Sequence, residues 1–333
     1  MYVHTMKIMR TGEGYCSMVL ELAIVLSLFM VCAHATGNTT PPSPVPVTLP
    51  PEDLVRHFYK KHNTCANVEA FVRHQVSLFY EKDKRITAKF LRLIYSDCMP
   101  NGCDGSILLD GAKSEKTAAQ NAGLDGFVYI DKIKTVLEDR CPRAAGGPSY
   151  PVLTGRRDGR DSKAEWVDLP SPSISWESAL AYFTSKGLTA LDLGTLLGAH
   201  TMGRTHCYNI MDRLYNYNNT GKPDPSMKKS MLKQLRKQCP SNGQSNYVLL
   251  NPKNPDYRFS NSYYQNVLQH QAVLGVDQQL LFGGDTIQVV QELAGSIQKF
   301  KQMFAFTVSR MGGLGVLTGD KGEIRLNCRV PNK

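Results

Sequence analysis

The sequence predicts an all-α protein, and two observations lead to that fold class. Apolar residues recur at intervals of three to four along most of the chain, which is the spacing of a helix with one buried face. No stretch shows the strict alternation of a half-buried strand, and no internal repeat is present. Roughly 280 residues follow the N-terminal region, enough for one large core or two closely packed lobes.

Eight periodic segments, separated by glycine- and proline-rich breaks, make up the predicted helices. The break MPNGCDG ends the third segment, and AAGGPSYP follows the fourth. DLPSPS precedes the fifth, NTGKPDP precedes the seventh and NPKNPD follows it; such clusters end or separate helices. In chain order the predicted helical segments cover residues 52–62, 67–82, 86–98, 126–141, 175–186, 192–200, 230–239 and 286–311.

The N-terminal residues 1–35 are typical of a secretory signal peptide. Basic residues precede an apolar run, and the small-residue pattern AHA predicts cleavage after Ala35. A membrane anchor is the alternative, but the run is shorter than the ~20 apolar residues of a span and contains Glu21. A proline-rich linker at 36–51 then leads into the predicted domain at 52–333.

Seven cysteines remain once the two in the predicted signal peptide, Cys16 and Cys32, are removed. A secreted protein matures in an oxidising compartment, where most of its thiols form disulfides. Because seven is odd, one cysteine lacks a partner. The same location makes Asn38 and Asn218 candidate glycosylation sites. We therefore expect a secreted, disulfide-bonded glycoprotein.

The chain is basic, with a formal net charge of +10, and its densest basic stretch is KKSMLKQLRK at 228–237. A basic surface suits a polyanionic setting such as an acidic polysaccharide matrix. The alternative is that this stretch is an ordinary solvated helix face. No nucleic-acid partner is predicted, because the chain has no recognised binding motif and no basic run interleaved with aromatic residues.

One segment whose residues could take part in chemistry is LLGAHTMGRTHC, in which His200 ends an apolar helix. Such a histidine has two interpretations, a core residue with satisfied hydrogen bonds or a metal ligand. A zinc site made of His200, His206 and Cys207 has no strong metal-binding spacing, and Cys207 is needed for a disulfide.

The second segment is RLIYSDCMPNGCDGS. Arg92 and Ser96 are four residues apart and therefore share a helix face. Two carboxylates, a hydroxyl and loop carbonyls follow within a short stretch and form a hard oxygen cage suited to calcium; the alternative is an ordinary capped loop. The cage residues are Asp97, Asp104 and Ser106, around a turn that a Cys98–Cys103 disulfide would close.

Eight ordered motifs resemble those of plant secretory (class III) haem peroxidases. The resemblance runs from about Val55 to the C-terminus. It implies the haem-peroxidase fold, in which haem b lies between a distal helical lobe at about 52–145 and a proximal one at about 146–333. The motifs are RLIYSDCMPNGCDGSILLD, EKTAAQN, GFVYIDKIKTVLEDRCP, GGPSYPVLTGRRD, LGAHTMGRTHC, DRLYNYNNTGKPDP, VDQQLLF and IRLNCRV.

The resemblance also implies a reaction and roles around the haem. A monomer would reduce hydrogen peroxide while oxidising small phenolic donors, in peroxide catabolism, oxidative stress or cell-wall chemistry. His200 matches the axial ligand of the haem iron, and Asp277 matches the carboxylate that accepts its other ring N–H. The remaining matches are Arg92, which stabilises negative charge as the O–O bond breaks, Asn121, which orients the distal base, Arg85, a haem-propionate partner, and Pro170, at the haem edge where donors dock.

Two calcium ions are implied as well. Thr201 matches a ligand of the proximal ion, but Asn251, Asn254 and Ser260 stand at or near positions that the family fills with Asp, Thr and Asp, so we expect weak binding there. The distal ion would be bound by Asp97, by the carbonyls of Pro100 and Gly102, and by Asp104 and Ser106, with Glu115 supporting it through water.

Ser96 stands where the family motif has the distal histidine. That histidine takes a proton from bound peroxide and returns it to the leaving oxygen, which requires a base of near-neutral pKa. A serine hydroxyl cannot hold a proton in transit, and the neighbouring Tyr95 is too weakly basic. We therefore expect a loss of at least ~10²–10⁴ in the rate of peroxide activation, and an Asn121 without the side chain that it would orient.

A second departure follows Cys141, where the family continues with a helix that opens V-S-C-A-D. Here only residues 143–145 separate Pro142 from GGPSYP. The missing helix, roughly 18 residues at 3.6 per turn, removes the cysteine that would pair with Cys328 and explains the odd count. The implied disulfides are Cys65–Cys141, Cys98–Cys103 and Cys207–Cys239, with Cys328 unpaired.

The sequence thus predicts a secreted haem peroxidase of impaired activity. One alternative is a non-catalytic haem- or cell-wall-binding protein that keeps the scaffold and the basic surface. The other is a non-functional splice product or gene-model error.

Overall fold

The computed structural model describes residues 54–56, 58–61, 65, 67–140, 154–255 and 257–333, all within one unit, Thr48–Lys333. Helices dominate this part of the chain and confirm the predicted all-α class. The predicted signal peptide, the linker, Cys141, the shortened junction after it and the predicted lobe boundary lie outside the described residues.

Twelve α-helices and one two-stranded sheet lie within the described residues. A run of 3₁₀ turns follows the helix Ile86–Asn101, and another extends the helix Ala190–Leu196 through Leu197–Thr201. In chain order the elements are α1 Phe58–Lys61, α2 Val68–Lys82, α3 Ile86–Asn101, α4 Phe127–Arg140, α5 Trp176–Ser185, α6 Ala190–Leu196, β1 Arg204–His206, α7 Met211–Tyr215, α8 Lys229–Gln238, β2 Tyr247–Leu249, α9 Ser262–Leu268, α10 Gly275–Gln279, α11 Gly284–Gly295 and α12 Ile297–Met311.

The observed elements differ from the predicted ones where local signals compete with periodicity. The predicted segment 286–311 is two helices, because the Ser296 hydroxyl accepts the Lys299 N–H and starts α12 there. Helix α3 continues past Cys98 to Asn101 and includes Pro100 in its last turn. Helices α7, α9 and α10 have five to seven residues each, too short for a periodic pattern to predict.

Helix α3 lies between two hydrophobic clusters. Cys98 and Met99, near its end, belong to the large cluster built mainly by the C-terminal helices. Phe90, nearer its start, packs against a smaller cluster that joins α2 to α4. Because both sides of α3 are held by apolar contacts, the helix that carries Arg92 and Ser96 is rigidly placed. The smaller cluster comprises Cys65, Val68, Val72, Ile133 and Leu137.

The sheet is a short antiparallel pair that the sequence did not predict. Thr205 faces Val248, and both are buried, whereas His206 faces Tyr247 on the outer side. Each strand has only three residues, fewer than an alternating pattern needs to be recognised.

The cysteines follow the predicted arrangement wherever they are described. The Cys98–Cys103 and Cys207–Cys239 disulfides are present. Cys65 is disulfide-bonded, and its predicted partner Cys141 lies outside the described residues. Cys328 is the free cysteine of the described part of the chain. No helix in the same part is both long and apolar enough to cross a bilayer.

Candidate functional site

Arg92 lies on α3 beside the short turn that carries Asn121. Its Nη2 donates hydrogen bonds to the carbonyl oxygens of Ala122 at 2.9 Å and Gln120 at 3.3 Å, on either side of Asn121. Ser96, one turn further along α3, is buried. Within the described residues, the Ser96 hydroxyl makes no hydrogen bond. The structure therefore brings Arg92 and Asn121 together, with Ser96 on the same helix face as Arg92.

Asn121 is buried, and only one of the two polar atoms of its side-chain amide has a hydrogen-bond partner among the described residues. Its Nδ2 donates to the carbonyl oxygen of Glu115 at 2.9 Å, which determines the orientation of the amide. Its Oδ1 has no hydrogen-bond partner among the described residues. A buried acceptor without a donor costs about 1–3 kcal/mol. An imidazole N–H at position 96 is the donor that the sequence motif implies, and Ser96 supplies none.

The partly exposed His200 and the buried Asp277 form a hydrogen-bonded pair, as the sequence motifs predict. His200 Nδ1 lies 2.8 Å from Asp277 Oδ1, which also accepts the Tyr263 hydroxyl at 2.8 Å. Burial lowers the pKa of His200, but the Asp277 carboxylate outweighs that effect and leaves the pKa raised. Because Nδ1 donates to a carboxylate, the neutral ring keeps its lone pair on Nε2.

The zinc interpretation of this segment is wrong. Cys207 is in a disulfide with Cys239, so its thiolate is not available to a metal. His206 stacks on Tyr208 with ring centroids 5.5 Å apart, while His200 is held by Asp277. No group of three or more His, Cys, Asp or Glu side chains in the described part of the chain is arranged for a metal ion.

The surroundings of His200 fit a haem group. Its side chain is 27% exposed although Asp277, which holds Nδ1, is buried. The loop after His200 adjoins α3: a Cβ on Gly203 would lie 3.5 Å from the Cβ of Ala88, one turn before Arg92. A free imidazole nitrogen next to the helix that carries the arginine matches the donor chemistry of haem ligation.

Arg85 has a partner within the chain, which the sequence did not predict. It lies at the start of α3, and its Nε donates to Asp83 Oδ1 at 2.8 Å. Lys89 also contacts Asp83, at 3.1 Å. The hydrogen bond from Arg85 and the added Lys89 charge hold the pKa of Asp83 well below its usual range. Arg85 thus lies at the N-terminal end of α3, but its guanidinium is already hydrogen-bonded to the Asp83 carboxylate.

The residues of the predicted calcium cage lie around the end of α3. The Asp97 carboxylate accepts the backbone N–H groups of Gly105 at 3.1 Å and Ile107 at 3.4 Å. Asp104 lies so close to Gly159 that a Cβ there would meet its Oδ2 at 2.1 Å. Any side chain at position 159 would therefore push the Asp104 carboxylate out of its place in the cage.

Glu115 contacts this cage through the hydroxyl of Ser106. The Ser106 hydroxyl lies 3.0 and 3.1 Å from the two Glu115 oxygens. Burial, assisted by Asp104, raises the pKa of Asp97 to about 8 and that of Glu115 to about 7. Buried carboxylates, together with a hydroxyl and carbonyls, are oxygen donors of the kind that calcium binds.

A polar bridge joins this cage to the segment that carries Pro170, and sequence reasoning missed it. Lys186 Nζ donates to the Pro100 carbonyl at 2.8 Å and to Asp168 Oδ2 at 2.9 Å. The Tyr182 hydroxyl donates to Asp168 Oδ1 at 3.0 Å. Pro170 itself is half-buried, two residues beyond Asp168. No local pattern reports a contact between residues 86 positions apart.

The loop predicted to bind calcium weakly is filled by hydrogen bonds. The Thr201 hydroxyl donates to the Ser260 carbonyl at 2.5 Å and accepts Asn251 Nδ2 at 3.3 Å. Asn254 Nδ2 donates to the Thr201 carbonyl at 2.8 Å. Side-chain amide N–H groups therefore donate hydrogen bonds to the Thr201 oxygens that would otherwise face a cation.

Comparison with known proteins identifies the family to which this site belongs. The family model described as Peroxidase matches residues 72–296. The chain is 54% identical over 305 residues to Probable peroxidase 61 of Arabidopsis thaliana, covering 85% of this chain and 90% of that protein. It is 52% identical over 303 residues to Probable peroxidase 26 of Arabidopsis thaliana, with 84% and 90% covered. A peroxidase of Armoracia rusticana is 41% identical over 298 residues, with 81% and 90% covered. The chain therefore belongs to the plant class III peroxidase family and is an enzyme of the peroxidase class.

Proposed function

We propose that this chain is a secreted haem peroxidase that reduces hydrogen peroxide slowly, because it lacks the distal base. Haem b would be held by His200, and phenolic donors would be oxidised near Pro170. Calcium would occupy the cage of Asp97, Asp104 and Ser106, and the basic surface would retain the protein on acidic polysaccharide of the cell wall. Two observations together support the reduced rate. Ser96 is buried, and Oδ1 of Asn121 has no hydrogen-bond donor among the described residues.

The proximal residues prepare a strongly donating imidazole. Asp277 accepts the Nδ1–H of His200 and is itself buried and hydrogen-bonded to Tyr263. A carboxylate in this position orients the ring and raises its basicity at Nε2. When bound, haem supplies the redox-active iron at which peroxide reacts.

On the other side of the site, Arg92 provides charge but no base. Its guanidinium is positioned by two carbonyls and would stabilise negative charge on the departing peroxide oxygen. The proton that must move from one peroxide oxygen to the other has no carrier, because the Ser96 hydroxyl is not basic at neutral pH. Solvent must then carry it, and the barrier rises.

An absorption spectrum of the purified, haem-loaded protein with and without hydrogen peroxide tests this proposal. We expect His200-dependent haem absorption that is lost in His200→Ala, and a peroxide response at least ~10²-fold slower than that of the Armoracia rusticana peroxidase measured in parallel. Haem absorption with no response to peroxide would favour a non-catalytic haem protein. A response as fast as that of the reference enzyme would refute the missing-base argument.

A further inference from the structure

The surface made by α8 and the β1–β2 pair has the composition of a binding site for an acidic polysaccharide. We propose that this α8–sheet surface, defined by Lys229, Lys233, Lys237, Gln238, Arg204 and residues 245–247, binds a polyuronate, a polysaccharide with one carboxylate per sugar. The proposal rests on the secreted location proposed above and is independent of the haem chemistry.

The first observation is a row of exposed lysines on α8 that has no acidic residue near it in the sequence. No Asp or Glu occurs between positions 225 and 255, where the chain has six Lys and Arg residues. Lys229, Lys233 and Lys237 are exposed and four residues apart, so they form one stripe about 12 Å long on α8. None of the three forms an ion pair with another described residue, whereas Lys116 pairs with Asp110 elsewhere on the surface.

The apolar side of α8 is already used by the protein core. Met231 and Leu235 are buried, and Arg236 donates to the Leu214 carbonyl. The exposed positions between and beside the lysines are Ser230, Gln234 and Gln238. A membrane-binding helix exposes apolar residues, so this charged face suits a water-soluble polyanion instead.

An open surface cavity lies at the C-terminal end of the lysine stripe. It has a volume of about 510 Å³ and is lined by Gln238, Ser245, Asn246 and Tyr247. Asn246 Nδ2 donates to the Gln238 carbonyl at 3.2 Å, which holds the two segments together. Amide and hydroxyl groups both donate and accept hydrogen bonds, which matches the hydroxyls of a sugar.

Flat rings adjoin this cavity and add a stacking surface. Tyr247 is 50% exposed, and the Arg204 guanidinium lies 3.8 Å from its ring centroid. His206 meets the edge of Tyr247, with ring centroids 5.2 Å apart, and stacks on the exposed Tyr208. Rigid aromatic rings with a polar end provide contact area at low entropic cost. Lysines for the carboxylates, amides for the hydroxyls and rings for the sugar faces together favour a polyuronate over a bare polyphosphate.

Binding of the full-length protein to polygalacturonate tests this inference, with polyglutamate, polyphosphate, single-stranded DNA and an uncharged cellulose derivative as comparison ligands. We expect binding to polygalacturonate that weakens as salt rises. Lys229→Gln/Lys233→Gln/Lys237→Gln should weaken it about tenfold. The matched control, Lys60→Gln/Lys82→Gln/Lys301→Gln, removes the same charge from exposed sites elsewhere and should change affinity less than about twofold.

The aromatic part of the surface is tested separately by Tyr247→Ala, with Phe306→Ala as an equally exposed control. Tyr247→Ala should weaken binding of polygalacturonate but leave binding of polyglutamate unchanged. Equal binding of polyphosphate, polyglutamate or DNA, insensitive to Tyr247, would overturn the polysaccharide assignment. Equal losses of polygalacturonate affinity in the two triple-lysine variants would show that the polysaccharide does not bind at this surface. Haem absorption and peroxide response, measured on the same samples, report the proposed enzyme function independently of either result.

Discussion

Asn254 donates a hydrogen bond from Nδ2 to the carbonyl oxygen of Thr201, 2.8 Å away. The amide orientation is determined, because Nδ2 also donates to the Arg258 carbonyl while Oδ1 accepts the Arg258 N–H. Since Thr201 follows His200, this bond anchors the segment that carries the proposed iron ligand. An N–H group thus does at this loop what a cation does in the family pattern.

The first prediction is that the Thr201 loop binds no calcium. We expect one calcium ion per chain, at the Asp97 cage, and no second ion in equilibrium dialysis. Asn251→Asp/Asn254→Thr/Ser260→Asp should add a second ion, because it restores two carboxylates to the loop. The control is Asp97→Asn, which should remove the first ion only. Two ions bound to the unmodified protein would contradict the prediction.

A second prediction concerns the distal base. Ser96→His should raise the rate of reaction with hydrogen peroxide by at least ~10²–10⁴, since an imidazole can carry the proton and donate to Asn121 Oδ1. Stopped-flow absorption of the haem-loaded variant measures this rate, and Ser96→Ala is the control that should leave it unchanged. No gain in a variant with full haem occupancy would show that another group is the base.

The bridge from Lys186 to Asp168 and Pro100 yields a third prediction. Lys186→Met keeps the aliphatic stem but removes two charge-assisted hydrogen bonds, one of them to the half-exposed Asp168, so the unfolding free energy should fall by about 0.5–1.5 kcal/mol. Hydrogen exchange in 167–175 should accelerate and the KM for phenolic donors should rise, while the rate with peroxide stays the same. Lys163→Met, in the same stretch of chain, is the control. An unchanged exchange rate in 167–175 would show that the bridge does not position Pro170.

The Asp83 cluster makes the fourth prediction, about pH. Arg85, and secondarily Lys89, lowers the pKa of Asp83, so its stabilising effect is present above the ordinary pKa of about 4 and is lost as pH falls through the lowered value. Asp83→Asn should therefore reduce the unfolding free energy by up to about 1 kcal/mol near pH 7 and by a smaller amount near pH 2, because the effect declines once pH falls below the ordinary pKa. Urea unfolding at both pH values measures the difference. An equal loss at both would exclude the ion pairs as the cause.

Local patterns were sufficient for much of the fold and for half of the site. The longer helices follow from the spacing of apolar residues, and the Asp97–Ser106 cage follows from a few consecutive residues closed by a disulfide. The helix end at Ser296 shows the limit of periodicity, because a single capping hydroxyl divides one amphipathic pattern into two helices. The odd cysteine count correctly indicated a free thiol, which is Cys328.

Contacts between distant segments had no local signal. His200 and Asp277 are 77 positions apart, and only resemblance to a family paired them before the structure did. Three features depend on how separate helices and loops pack. They are the missing donor at Asn121 Oδ1, the bridge through Lys186 and the amide hydrogen bonds in the Thr201 loop. Helix period and turn chemistry act over a few residues and can be read directly from the chain. Hydrogen-bond satisfaction and burial depend on neighbours that only the folded chain brings together, so the tertiary structure alone decided those features.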